Sequence, residues 1–97
     1  MPMYVVLGRY TQKAIENMKT SLEELEAAKK VARSVGGEIK EFYYTMGRYD
    51  FVAICEAPND EAMTKALLIT SSVGRVRTET LPAIPSDKAA DILKGLP

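Results

Sequence analysis

The sequence predicts an α+β fold in which two helices cover one face of a four-stranded antiparallel sheet, with a short helix at the C-terminus. Three observations predict it. Four short segments are rich in β-branched and aromatic residues, which are typical of strands. Two longer segments between them repeat apolar residues at helical spacing. Glycine, asparagine or threonine stands at most boundaries, where helices and turns begin and end. No linker or repeat divides the chain, so we expect one domain over residues 1–97.

The first segments of the chain are a strand and a helical region. Residues 3–10, MYVVLGRY, predict the first strand, and Thr11 is a suitable N-cap for a short helical piece after it. Ser21 and Glu24 have the spacing of a capping box, which predicts that a longer helix begins there. The pair Gly36–Gly37 supplies the left-handed conformation that ends this helix.

Two further strands flank a glycine in the middle of the chain. Residues 38–46 and 49–57 both read as strands, and the stretch between them predicts a hairpin. A second long helix follows, with Asn59 or Asp60 as its N-cap and Gly74 at its end.

The last two segments complete the pattern. Residues 75–84 predict a fourth strand, and residues 86–96 predict an amphipathic helix. The resulting order, βαββαβ plus a terminal helix, is the ferredoxin-like arrangement, in which the first and third strands are central. YVVL and FVAIC are the most continuously apolar strand sequences, and RVRTET carries charges, as an edge strand should.

Composition excludes several classes of function. The chain has 13 lysine and arginine residues and 13 aspartate and glutamate residues, so its formal net charge is zero. This argues against general electrostatic binding to nucleic acid or to an anionic membrane. Histidine is absent, which excludes the usual serine and cysteine triads and histidine-based metal sites, so we expect no metal and no cofactor. The single cysteine permits no intrachain disulfide, and the apolar N-terminal run is too short for a span or a signal peptide. We expect a soluble cytoplasmic protein.

The turn at Gly47 sets the register of the predicted hairpin. With Gly47 and Arg48 as the two central residues of a type II′ turn, Tyr44 faces Phe51 and Glu41 faces Ile54. Alternation then gives the hairpin one almost purely apolar face, which we expect to lie under the helices. This face holds Phe42, Tyr44, Met46, Tyr49, Phe51, Ala53 and Cys55.

The opposite face of the hairpin, here called the open face, mixes apolar and polar residues. It holds Glu41, Tyr43, Thr45, Asp50, Val52 and Ile54. A ferredoxin-like sheet has helices on one side only, so Val52 and Ile54 would otherwise meet water. Each large apolar side chain gains about 1.5–3 kcal/mol on full burial, so a second copy stacked on this face would stabilise it. We therefore predict a homodimer, or a higher homo-oligomer, with a cavity between two sheets.

Three stretches of the chain resemble the GYD family. They are YVVLGRYT near the start, EFYYTMGRYDFVAICEAPND in the middle and VRTETLPAI near the end. The motif of the family corresponds to GRYD, which is Gly47, Arg48, Tyr49 and Asp50. The resemblance implies a dimeric α/β barrel and implies no particular activity. The sequence TQKA at residues 11–14 departs from the TDQG that is frequent in the family after the first strand.

Asp50 is the first candidate for a functional residue. At the open end of the predicted cavity, a carboxylate with a raised pKa would act as a base or bind a polar ligand. The alternative is structural: the side chain accepts backbone N–H groups at the turn, or pairs with Arg48 or Arg9. We favour the structural interpretation.

The other candidates each have a plain structural alternative. Tyr43, Thr45 and Glu41 would orient a small molecule, or would only satisfy buried neighbours across a dimer. Arg48, Arg75 and Arg77 would bind an anion, or Arg75, Arg77 and Glu79 would form a solvated ion-pair ladder. Cys55 is interpreted as a buried apolar filler, because no histidine can activate it.

Three functions compete on these observations. The first is a homodimer that binds a small, partly apolar molecule between its sheets or serves as an assembly module. The second is a cofactor-independent oxygenase or isomerase that uses Tyr43, Asp50 and an arginine, which rests on analogy of fold alone. The third is a ligand-sensing regulatory or nucleic-acid-associated module, which the neutral net charge makes the least favoured of the three.

Overall fold

A computed structural model describes residues 1–97. Its elements are β1 Met3–Tyr10, α1 Gln12–Ile15, a 3₁₀ turn Met18–Thr20, α2 Ser21–Ser34, β2 Glu38–Tyr44, β3 Phe51–Glu56, α3 Asp60–Ser72, β4 Val76–Ala83 and α4 Ser86–Lys94. The four strands form one antiparallel sheet in the order β2-β3-β1-β4. The predicted ferredoxin-like fold is confirmed, with β1 and β3 in the centre.

The core lies between the sheet and the two long helices. Alternate residues of β1 and β3 point toward α3, and Met63 of α3 packs on them. The buried cluster is Tyr4, Val6, Phe51, Ala53, Cys55, Ala57 and Met63. A hydrogen bond also joins the sheet to α3. The Tyr4 hydroxyl donates to Asp60 Oδ1 over 2.6 Å, which raises the pKa of Tyr4 and connects β1 to the first turn of α3.

The predicted caps of α1 and α3 are confirmed, and the capping box of α2 is wrong. The Thr11 side chain accepts from the N–H of Ala14, and Asn59 accepts from the N–H of Ala62 over 2.8 Å. The N-cap of α2 is Thr20, not Ser21, and it makes no side-chain cap. A 3₁₀ turn leads directly into the helix, which makes Ser21 its first residue and leaves the Ser21 hydroxyl free to bond Tyr44 at 2.7 Å.

The hairpin has the predicted register but a wider tip. Tyr44 pairs with Phe51 and Glu41 with Ile54, as predicted. The last backbone bond of the ladder runs from the N–H of Thr45 to the carbonyl of Asp50, so β2 and β3 end before the predicted two-residue turn. Gly47 supplies the positive φ of 100° that the chain needs to reverse there.

Two predicted members of the helix-side face are therefore in the wrong place. Met46 is 99% exposed, and Tyr49 reaches the opposite side of the sheet, where its hydroxyl bonds Glu79. Both lie in the tip, beyond the last ladder bond, so the alternation of a paired strand does not extend to them.

At the other end of β2, Ile39 pairs with Cys55 and Glu41 with Ile54, so Lys40 is an extra residue that forms a β-bulge. The bulge keeps Ile39 against the core while Glu41 stays on the open face.

Helix α4 contributes no buried residue. The chain measures 53 Å along its longest axis and 30 and 17 Å across, an elongated shape for 97 residues. The predicted apolar side of α4 is exposed, with Ile92 at 54% and Leu93 at 63%. None of the helices is both long and apolar enough to cross a membrane.

Glycine at position 8 is required by the packing of Phe51. The two residues are directly paired across β1 and β3, and the Phe51 ring covers the place where a Cβ on Gly8 would stand. We predict that Gly8→Ala lowers the free energy of unfolding by about 2–3 kcal/mol, because the ring must leave its site between Tyr10 and Phe42. Urea denaturation measures this loss.

Gly95→Ala is the matched control, since a Cβ at Gly95 meets no atom closer than 3.5 Å. It should change the stability by less than about 1 kcal/mol. Equal losses in the two variants would contradict the role assigned to the contact between Gly8 and Phe51.

Candidate functional site

The open face of the sheet is the side away from α2 and α3. In β1, Tyr4, Val6 and Gly8 are buried toward the helices, so Val5, Leu7 and Arg9 lie on the other side. The pairing with β4 extends the open face across the sheet. The open face also includes Val5, Leu7, Arg9, Arg77, Glu79 and Leu81, in addition to the residues of the hairpin.

The centre of the open face is an apolar stripe that crosses three strands. Val5 pairs with Ile54, and Leu7 pairs with Val52. Leu81 of β4 stands opposite Val5. The stripe is therefore Val5, Leu7, Val52, Ile54 and Leu81. Leu81 is 51% exposed, and the other four residues are half-buried. Contiguous apolar surface of this kind on a small chain is typical of a site that another molecule covers.

Polar side chains border the stripe on β2. The Tyr43 hydroxyl donates to a carboxylate oxygen of Glu41, and this bond raises the pKa of Tyr43. The hydroxyl is therefore protonated at neutral pH and acts as a donor, not as a base. The Thr45 hydroxyl donates to the backbone carbonyl of Tyr49 over 2.6 Å, so it holds the tip of the hairpin.

Asp50 has a structural role at the end of β1. Its Oδ2 accepts from the N–H of Tyr10 over 2.8 Å, and its own N–H donates to the carbonyl of Gly8, also over 2.8 Å. The side chain serves backbone groups, as one interpretation of the sequence held, but these belong to β1 and not to the Gly47 turn. The predicted ion pairs of Asp50 with Arg48 or Arg9 are not formed.

Two arginines and a tyrosine form a cluster beside Asp50. The guanidinium of Arg9 lies 5.1 Å from the centre of the Tyr49 ring, and that of Arg48 lies 5.9 Å from it. Arg9 Nε also donates to the carbonyl of Arg48 over 3.0 Å, and the Tyr49 hydroxyl donates to Glu79 Oε2 over 2.9 Å. Sequence reasoning missed this cluster, because the register between the hairpin and β4 follows only from the pairing of both with β1.

The three arginines of the predicted anion site do not share one location. Arg75 precedes β4 and forms an ion pair with Glu24 of α2, on the helix side of the sheet. Arg77 lies on the open face directly opposite Arg9. The predicted ladder of Arg75, Arg77 and Glu79 is wrong, because Arg75 lies outside the strand and Glu79 bonds Tyr49.

Cys55 is buried in the core, as predicted, and burial raises its pKa to about 11. A thiol with this pKa is protonated at neutral pH and is a poor nucleophile. The histidine, cysteine and carboxylate side chains form no group of three or more in a position to hold a metal ion.

Comparison with known proteins identifies relatives over nearly the full length. The family model described as GYD domain matches residues 4–93. A protein of Thermus thermophilus named "Glutamine synthetase and cystathionine beta-lyase binding protein" is 33% identical over 97 residues, which is 99% of each chain.

Two solved structures are similar in fold. The crystal structure of TTHA0845 from Thermus thermophilus has a TM-score of 0.58 and 24% identity over 88% of this chain and 95% of that one. The crystal structure of FFRP-DM1 has a TM-score of 0.56 and 18% identity over 87% of this chain and 100% of that one. At these identities the likeness supports the fold and carries no conclusion about function.

The bond from Tyr10 to Asp50 generates a test of the structural role. We predict that Asp50→Ala lowers the free energy of unfolding by about 1–3 kcal/mol, because the half-buried N–H of Tyr10 loses its acceptor. Asp50→Asn keeps an acceptor oxygen at this position and should lose clearly less. Urea denaturation of both variants measures the difference, and equal stability of Asp50→Ala and the unchanged protein would contradict this role.

Proposed function

Since this chain belongs to the GYD domain family, we propose that it is a small binding protein that works as a homodimer. The observation that carries the proposal is the apolar stripe of the open face, which spans three strands and has no cover within the chain's own helix layer. A two-fold dimer places the same patch of both copies face to face, so each stripe covers the other.

The charges around the stripe support a second copy as its occupant. Arg9 and Arg77 are directly opposite each other, and like charges at such a position are unfavourable unless an anion lies nearby. Glu41 stands across the sheet on β2, beyond Ile54 and Val5. The open face thus carries Arg9, Arg77 and Glu79 on its β1–β4 side and Glu41 on β2, so two copies can pair opposite charges around an apolar centre.

A dimer formed this way leaves α4 available for other proteins. Its exposed apolar residues form one side of the helix, while Asp87, Lys88, Asp91 and Lys94 occupy the remainder. An amphipathic helix that exposes its apolar side is a common element of protein recognition. The name of the Thermus thermophilus relative describes a protein that binds two metabolic enzymes. We extend this role to the present chain and assign enzyme recognition to α4.

A second candidate function is the binding of a small, partly apolar molecule between the two sheets of the dimer. The observation that favours it is the polar border on β2, where the hydroxyl of Tyr43, which donates to Glu41, can still accept a hydrogen bond from a ligand beside the stripe. The oxygenase or isomerase alternative is less favoured, because Asp50 accepts from the backbone N–H of Tyr10 and Tyr43 donates to Glu41.

The dimer is tested by a charge at the centre of the stripe. We predict that Ile54→Glu weakens self-association by about 3 kcal/mol or more, on the order of a hundredfold in Kd, because each interface then buries unpaired carboxylates. Light scattering coupled to size exclusion measures the molecular mass. Leu22→Glu is the matched control, since Leu22 is 68% exposed on α2 and away from the open face.

The expected outcome is a dimer for the unchanged protein and for Leu22→Glu, and a folded monomer for Ile54→Glu, with circular dichroism as the check on folding. A monomeric unchanged protein, even when concentrated, would contradict the dimer. An equal mass for Ile54→Glu and Leu22→Glu would contradict the open face as its interface.

Enzyme recognition is tested with glutamine synthetase and cystathionine beta-lyase purified from the organism that supplies this chain. We predict that Ile92→Lys combined with Leu93→Lys weakens binding at least tenfold, or about 1.4 kcal/mol, because it places charges on the apolar side of α4. Asp91→Lys changes the net charge by the same amount on the other side of the helix and should bind normally. Isothermal titration calorimetry measures both, and failure of the unchanged protein to bind either enzyme would end the proposal.

A further inference from the structure

A cavity of about 220 Å³ lies between the helices and the sheet, on the side away from the open face. Helices α2 and α3 form its roof, and the inward residues of the strands form its floor. Of the 25 residues that line it, 19 are hydrophobic. The cavity is partly open, and its lining is apolar enough to accept an apolar compound.

Several small residues line the cavity. They are Ala28 and Ala32 of α2, Ala53 of β3 and Ala66 of α3. No residue of α2 is buried, although its apolar side is turned toward the sheet. Protein interiors are close-packed, so side chains around a void lose contacts that a bound molecule of the right size would restore.

The polar residues at one end of the cavity restrict what it can bind. Ser21, at the start of α2, lines the cavity, and its hydroxyl is 2.7 Å from that of Tyr44 and 3.3 Å from that of Tyr10. These three hydroxyl groups can each donate or accept, so they can admit one more hydroxyl.

The only charged pair at this end is already satisfied. Glu24 and Arg75, which also line the cavity, form an ion pair, and Glu24 further accepts from the hydroxyl of Thr20 over 2.8 Å. An anionic ligand would have to break this pair or leave its own charge unpaired among apolar side chains, and both are costly.

We propose that this cavity binds a small, uncharged, single-ring aromatic compound with one hydroxyl group, with the ring among the alanines and the hydroxyl at Ser21. The size fits: an apolar cavity of about 150 Å³ is known to hold benzene, and this one is larger. The site lies on the opposite side of the sheet from the open face, so it does not depend on the dimer.

The test uses p-cresol as the probe and thermal unfolding of the full chain as the measurement. The unchanged protein is expected to show a saturable rise in Tm with p-cresol and none with p-toluic acid, which has the same ring and a carboxylate. No rise with p-cresol, or an equal rise with p-toluic acid, would overturn the proposal.

Filling the cavity provides the decisive variant. Ala28→Leu should raise Tm in the absence of p-cresol, because the added methylene groups occupy the void, and should abolish the effect of p-cresol. Ala90→Leu is the matched control, since Ala90 is exposed on α4 and does not line the cavity; it should respond to p-cresol normally. A fall in Tm for Ala28→Leu, or a response to p-cresol that survives it, would overturn the proposal.

The hydroxyl end is tested separately by comparing p-cresol with toluene. Ser21→Ala should weaken p-cresol about tenfold in Kd, as expected for one lost hydrogen bond, and leave toluene unchanged. If toluene and p-cresol bind the unchanged protein equally, or if Ser21→Ala weakens both alike, the assignment of the hydroxyl to Ser21 is wrong.

Discussion

The packing of the Phe51 ring against the backbone of Gly8 is the contact on which the arrangement of the sheet depends. It joins the two central strands and places the Phe51 ring between two other rings. The distance between ring centres is 5.4 Å to Tyr10 and 5.0 Å to Phe42. Side chains alternate along a strand, so this one placement also sends Val52 and Ile54 to the open face. A slip of one residue would exchange the two faces, which makes this contact decisive for both the core and the surface that we assign to the dimer.

The small core explains why apolar surface is left over. Only ten of the 97 residues are buried, so the chain folds around little more than Phe51, Tyr4, Met63 and their neighbours. A small domain buries a modest fraction of its surface, so a partner would add stabilisation. The open face, the exposed side of α4 and the cavity under α2 are three separate places where a partner or a ligand would add apolar contacts.

Much of the fold could be predicted from local sequence, because local chemistry decides it. Gly36 and Gly74 adopt the left-handed conformation at helix ends, and Asn59 caps α3. The register of the hairpin followed from Gly47, since a short turn leaves little freedom in pairing. The family resemblance was confirmed over residues 4–93.

The site was less predictable, because its contacts join residues that are distant in sequence. Tyr49 bonds Glu79, and Arg75 pairs with Glu24, so neither partner follows from the spacing of nearby residues. Ser21 had the spacing of a cap, but tertiary contact with Tyr44 took its hydroxyl instead. A polar side chain can bond either a nearby backbone group or a partner distant in sequence, and the local sequence pattern does not show which of the two it bonds.

The two outer strands also limit how copies of this chain can assemble. An edge strand with free N–H and C=O groups invites another strand to add to it, and repeated addition produces an open-ended fibre. The extra residue Lys40 distorts the β2 border, and Pro82 removes a donor from β4. Because these features disfavour strand addition at both margins, the proposed dimer would form through the flat side of the sheet, where a two-fold axis would close the complex at a finite size.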